Sequence, residues 1–319
     1  MNKQRIAITG AAGNLGSLLA KRLLYEEVNL NLLIHQKEVP YELSSIQKTE
    51  TFSIDLRNKE ALLNALDKVD VVVHFAGVLF KPNPEKFLKT TNTKYFQNLL
   101  DVAVKQKVQR IILISFPHVE GESFPDNPAK GILNGNPISV HAKTRLEEEK
   151  LLFNYAKEYS FEPVSLRVGM VYGKGILMID AAQWFAKHRL LGVWKSPTYI
   201  HLISKVDFVD ATTAACLNKE VYGIYDIGDD GVQTLQEFLD DITQYKKYKK
   251  PWRMPLWMIL TAARFFELWS KLFNTRSPLT VDFIKIGRVS YYGDTDKMRK
   301  ELLPNLKYKT YKEGIKLFD

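Results

Sequence analysis

The stretch Arg5-Ile-Ala-Ile-Thr-Gly-Ala-Ala-Gly-Asn-Leu-Gly16 decides the fold. An apolar run of strand type breaks into a turn punctuated by Gly10, Gly13 and Gly16. A helix pattern, Ser17-Leu-Leu-Ala-Lys-Arg-Leu-Leu24, follows at once. Strand, glycine turn and helix start together form a seat for a diphosphate. Backbone N–H groups and the positive end of the helix dipole face the ligand, and no side chain obstructs its approach. Gly10 serves the tight turn, Gly13 the contact of diphosphate with backbone, and Gly16 the close packing of helix on strand. Ala12, Asn14 and Leu15 belong to the same seat. The spacing is G-x-x-G-x-x-G rather than G-x-G-x-x-G, so the dinucleotide fingerprint is met in mechanism but not in letter.

Outward from this turn, apolar runs alternate with helical patterns. Strands are expected near Arg5–Thr9, Leu30–Ile34, Thr51–Ile54, Val69–Phe75, Arg110–Ser115 and Pro163–Arg167. Helices are expected over Asn14–Glu26, Asn58–Leu66, Glu85–Gln106 and His141–Tyr159. Alternation at these lengths predicts an α/β fold, a doubly wound parallel sheet with right-handed crossovers. The ligand then lies beyond the carboxyl ends of the strands. Gly121–Pro137, rich in Gly, Pro, Asn and Asp, reads as a long irregular loop near that edge. Residues 1–168 are taken as the nucleotide domain, with 200–228 returning to it. Residues 169–319 make up most of a smaller C-terminal substrate lobe.

The chain has 319 residues, 45% of them hydrophobic, which is ordinary for a folded protein. A single cysteine, Cys216, excludes an internal disulfide and a cysteine-based metal cluster, and fits a reducing, cytoplasmic compartment. The opening apolar stretch is cut by glycines and is not a signal peptide. The six histidines lack metal-ligand spacing, no Gly-x-Ser-x-Gly elbow occurs, and no nucleic-acid recognition module is visible. Charge is uneven. Residues 241–319 hold 17 Lys and Arg against 8 Asp and Glu, which accounts for the whole chain's +9. Within that basic region, Pro255–Phe273 is helical in pattern and apolar around most of its circumference, with Thr261, Arg264, Glu267 and Lys271 on one stripe. Its charges argue against a spanning helix. It packs in a core, covers an apolar substrate or lies in a bilayer interface. Together with Tyr245-Lys-Lys-Tyr-Lys-Lys250 it marks 246–273 as the segment for peripheral contact with the inner membrane surface. A homodimer is left open.

Six pieces in order resemble the extended short-chain dehydrogenase/reductases, the group that includes nucleotide-sugar epimerases and dehydratases and 3β-hydroxysteroid dehydrogenase/isomerases. They are Thr9-Gly-Ala-Ala-Gly-Asn-Leu-Gly16, Asp55-Leu56, Asp70-Val-Val-Val-His-Phe-Ala-Gly77, Thr91-Asn92-Thr93, the strand ending Ile114-Ser115, and Leu166-Arg-Val-Gly-Met-Val-Tyr-Gly173. The resemblance implies a Rossmann domain. It implies Asp55 and Leu56 at the adenine, Ala76 and Gly77 where ribose and nicotinamide pass, and Asn92 as an anchor near the active site. An NAD-specific carboxylate is missing after the second strand, where Ile34-His35-Gln36-Lys37 stands instead. His35 and Lys37 would face a 2′-phosphate, so NADP(H) is preferred over NAD(H).

The family's catalytic Tyr-x-x-x-Lys and its upstream Ser or Thr have no match here. Aligned on Glu149, His141 stands at the Tyr position, Arg145 at the Lys position and Phe116 at the Ser/Thr position. A register using Lys143 would leave the face shared by His141 and Arg145. Two readings follow. Either the site is rebuilt, with His141 as acid/base, Arg145 at the cofactor ribose and Ser115 or His118 as a spare hydrogen-bonding group. Or the chain is an accessory or redox-sensing protein that binds NADP(H) without turnover. Under the first reading it is an NAD(P)-dependent oxidoreductase or epimerase acting on a hydroxyl or carbonyl of a small or amphipathic substrate. His118, Arg167 and Met170 are the expected substrate contacts.

Overall fold

The computed structural model describes residues 3–319 except 79, 80, 274, 276 and 278. The first half runs β1 (Gln4–Thr9), α1 (Asn14–Leu23), β2 (Val28–Ile34), α2 (Tyr41–Ser44), β3 (Thr49–Ser53), α3 (Lys59–Ala65), β4 (Val71–His74), α4 (Tyr95–Lys105), β5 (Arg110–Ser115), α5 (Val140–Glu158) and β6 (Glu162–Val168). The second half adds β7 (Met170–Tyr172), α6 (Leu177–Lys187), β8 (Gly192–Trp194), β9 (Tyr199–Ile200), β10 (Leu202–Ser204), α7 (Lys205–Leu217) and β11 (Gly223–Ile227). It closes with β12 (Gln233–Thr234), α8 (Leu235–Tyr245), β13 (Trp252–Met254), α9 (Leu256–Leu272), α10 (Val281–Gly287) and α11 (Asp296–Glu301).

Seven strands form one parallel sheet in the order β11-β6-β5-β4-β1-β2-β3. This is a Rossmann-like doubly wound α/β fold. Strand residues alternate between its two faces. Ile6, Ile8, Leu30, Leu32 and Val73 pack into one core, and Ala7, Leu33, Val72, Ile111 and Leu113 into another. Burial on both faces is why these strands are continuously apolar in sequence. The order of winding reverses between β1 and β4, the switch point at which doubly wound sheets bind their ligands. The Thr9 hydroxyl bonds His74 Nδ1 at 2.8 Å and accepts from the Ala76 amide at 3.3 Å, which clamps those two ends together. Burial holds His74 neutral, with its pKa down to about 3.

The chain leaves the sheet after β6 and comes back as β11 on the edge beside β6, while α7 packs against α1. The short pairs β7–β10, β8–β13 and β9–β12 organise the C-terminal part. The single helix expected over Glu85–Gln106 is interrupted. A 3₁₀ turn at Pro84–Lys86 and a π-helical stretch at Lys89–Lys94 precede α4. The wider π turn carries Asn92 inward, where its Nδ2 donates to Thr144 Oγ1 at 3.1 Å. The loop after β5 is irregular yet tightly held. The Glu120 carboxylate accepts from the amides of Lys130, Gly131 and Ile132, and Ala129 N donates to Tyr292 O.

Candidate active site

The glycine loop sits at the C-terminal end of β1. Gly10 has φ +69°, and a Cβ there would meet Ala76 N at 3.2 Å. A Cβ on Gly16 would lie 2.5 Å from Gly10 O, so helix and strand touch backbone to backbone. Gly13 is the N-cap of α1 and provides no capping side chain, so the first-turn N–H groups of the helix are open to an anion. Gly13 and Asn14 are exposed, and Ala12 and Leu15 half-buried. Asn14 ties the loop to the C-terminal half, donating to Gly175 O at 2.6 Å and accepting from Leu177 N at 2.7 Å. These residues fit a diphosphate.

At the next two strand ends, His35 and Lys37 are exposed. Asp55 is committed to Arg57: Oδ1 accepts from its amide at 2.9 Å, and Oδ2 from Nε at 2.9 Å and Nη2 at 2.6 Å. The Arg57 guanidinium holds the Asp55 carboxyl down at about pKa 2. His35 Nε2 lies 3.5 Å from the same carboxylate. Leu56 O accepts from Asn98 Nδ2, which fixes the segment against α4. Arg57 was missed from sequence. Its signal was a cation two residues after the acid expected at the adenine.

Beyond β4 the geometry tightens. A Cβ on Gly77 would run into Arg145 Nη2, so the guanidinium lies directly against the glycine. Arg145 donates through Nη2 to Ala76 O at 3.4 Å and through Nη1 to Glu148 Oε2 at 2.7 Å. Burial lifts the Glu148 carboxyl to about 7 against the pull of Arg145. Asn92 Oδ1 and Glu148 Oε1 are buried acceptors without a partner among the described residues. With Gly77 and Arg145 they form a donor–acceptor set that fits ribose hydroxyls.

One helical turn before Arg145, His141 is nearly buried. Its Nε2 lies 2.9 Å from Val78 O, and its Nδ1 lies 3.1 Å from Asp282 Oδ2 on α10. A carbonyl and a carboxylate both accept. Both ring nitrogens are therefore engaged within the protein. Asp282 had no sequence signal, because it reaches His141 from 141 residues away.

Three expected contacts need correction. Ser115 is not spare: its hydroxyl donates to Glu149 Oε1 at 2.5 Å. Arg167 has no solvent exposure. It is held by Glu149 (Nη2 to Oε2, 2.6 Å), Glu120 and the Ile132 carbonyl, so it organises the core under the loop and does not face a substrate. His118 packs against Phe116 and Tyr291, with its Nε2 on Val289 O at 3.0 Å, and burial pushes its pKa down to about 4. Met170, half-buried at the start of β7, packs against the main core.

The NAD dependent epimerase/dehydratase family model matches residues 6–228, from β1 to just past β11. The chain belongs to this family. The family is described as NAD dependent, and the chain spans only part of the length of the curated relatives it matches. Uronate dehydrogenase of Pseudomonas putida is 29% identical over 167 residues, which is 52% of this chain and 60% of that relative's length. UDP-N-acetylglucosamine 4,6-dehydratase (inverting) of Campylobacter jejuni is 28% identical over 162 residues, 47% of this chain and 43% of that relative. Among solved structures, UDP-glucuronic acid 4-epimerase from Bacillus cereus, in complex with UDP-glucuronic acid and NAD, is similar in fold. It gives a TM-score of 0.77 at 19% identity, covering 98% of this chain and 97% of that one. The family member described here shares that architecture.

Proposed function

We propose that the protein is an NADP(H)-linked oxidoreductase or epimerase working on a hydroxyl or carbonyl group of a small or amphipathic molecule, with His141 as its proton donor and acceptor. The observation that carries this is the convergence of His141 and Arg145, one turn apart, on the Val78 and Ala76 carbonyls just past β4. A bound nicotinamide supplies a hydride to the substrate carbon or takes one from it. In the reducing direction the substrate oxygen replaces the Val78 carbonyl at His141 Nε2, and the Nε2 proton passes to that oxygen as the C–H bond forms. Asp282 keeps the ring oriented and stabilises its positive charge, and the neutral ring regains its proton from solvent. Arg145 stays charged throughout and holds the ribose, while Phe116 offers the substrate oxygen no hydroxyl. His35, Lys37 and Arg57 supply donors and positive charge for a 2′-phosphate, and no acid follows β2 before Glu38.

A second reading, cofactor binding without turnover, is favoured by the engagement of both His141 nitrogens and of the Ser115 hydroxyl. One set of measurements separates the two. NADPH and NADH are titrated against the purified protein, and reduced-cofactor oxidation is followed with aldehydes, ketones, uronates and nucleotide sugars. We expect tighter NADPH binding. We also expect His141→Gln to lower kcat about 10²–10⁴-fold with cofactor affinity retained, and Asp282→Asn to shift the pH profile. Activity unchanged in His141→Gln would refute the acid/base role. Binding with no oxidation of any substrate would leave the second reading standing.

A further inference from the structure

We infer that α9 and the basic segment before it form a docking surface for an anionic lipid bilayer. The helix meets the protein along a narrow stripe, burying Ile259, Ala263 and Ser270. Its opposite face is turned to solvent and is the more apolar of the two. Trp257, Phe265, Leu268, Trp269, Leu272 and Phe273 are each at least half exposed. Phe265, Trp269 and Phe273 stack in succession along the helix, with ring centroids 6.2 and 4.3 Å apart. The surface continues past the helix. Trp252 on β13 is exposed and donates its indole N–H to Arg189 O, beside the exposed Leu190. Solvent-facing aromatic area of this extent marks an interaction surface, and tryptophan-rich apolar faces suit the headgroup level of a bilayer.

Charge selects the occupant. Glu267, the acid on α9, is turned inward, where its carboxylate accepts from Val281 N at 2.9 Å and caps α10. The exposed charges on the helix are therefore the cations Arg264 and Lys271 on one flank of the apolar arc. Upstream, Lys247 and Lys249 are exposed and enter no salt bridge among the described residues, whereas Lys246, Lys250 and Arg253 are paired with Asp319 or Asp240. A second copy of this chain would set these cations against one another, whereas anionic headgroups neutralise them. No helix among the described residues is long and apolar enough to cross a membrane, so the contact lies in the plane of the interface.

The test is flotation of the full chain with vesicles of phosphatidylcholine containing or lacking phosphatidylglycerol, at low and high salt, with size-exclusion light scattering in parallel. We expect binding to phosphatidylglycerol vesicles that weakens at least tenfold at high salt. In Trp257→Ser/Leu268→Ser/Leu272→Ser and in Lys247→Glu/Lys249→Glu it falls at least tenfold. These side chains are exposed, and retained cofactor binding shows that the variants fold. Bound protein shows tryptophan emission quenched by brominated lipid. Failure to float with anionic vesicles at low salt overturns the proposal. So does a stable dimer that the apolar variant dissociates, because the face then belongs to a second copy.

Discussion

Arg167 carries a full charge with no exposure to water, and its partners explain how. Nε and Nη2 fork onto Glu149, while Nη1 reaches Glu120, whose other contacts gather the loop after β5. Removing one member leaves a buried charge uncompensated, which typically costs 3–5 kcal/mol. Arg167→Met is therefore expected to lose about 3–5 kcal/mol in denaturant unfolding. A loss below about 1 kcal/mol would mean that the network does not hold the loop. Strand placement of Arg167 was readable from its apolar neighbours, but its role was not. The carboxylates that claim it sit on α5 and after β5, and nothing local names them. His141 shows the same limit. Its place one turn before Arg145 was readable, whereas Asp282 and Val78, the partners of its two ring nitrogens, arrive through tertiary contact.

Among elements, the β1–loop–α1 unit was legible almost residue by residue, because its chemistry is local: apolar strand, three glycines, amphipathic helix. Its weakest tolerance is at Gly16. A Cβ there would meet a backbone carbonyl at 2.5 Å, and backbone cannot swing aside as a side chain does. Gly16→Ala is expected to lower stability by about 1–3 kcal/mol through overpacking and to weaken NADPH binding, read by thermal unfolding and by titration of the same sample. Wild-type affinity with unchanged Tm would show that α1 need not approach β1 this closely. The segment before α4 was less legible. A helical pattern over Glu85–Gln106 does not distinguish an α turn from a π turn. The choice is made by Asn92 reaching Thr144 across to α5.

Across the whole molecule, burial raises three carboxyls together: Glu148 and Asp226 to about 7 and Asp229 to about 8. Their ordinary values lie near 4, so the folded state holds these protons more tightly than the unfolded chain does. Their stabilisation is complete below about pH 4 and is lost as pH rises through 7 and 8. Asp55 acts oppositely, its contribution disappearing only as pH falls from about 4 toward about 2. Thermal unfolding is expected to show Tm falling between about pH 4 and 8, with the fall blunted in Asp229→Asn. A Tm that rises over that range would contradict the assignment. The amino-acid order by itself determined the parallel α/β sheet and the glycine turn between β1 and α1, since periodicity and glycine spacing are local properties. Only the tertiary structure decided that Arg167 is core, that Asp282 completes His141 and that α9 turns its aromatic face to solvent. Burial and partnership depend on which distant segments meet, and periodicity along one segment carries no record of its neighbours.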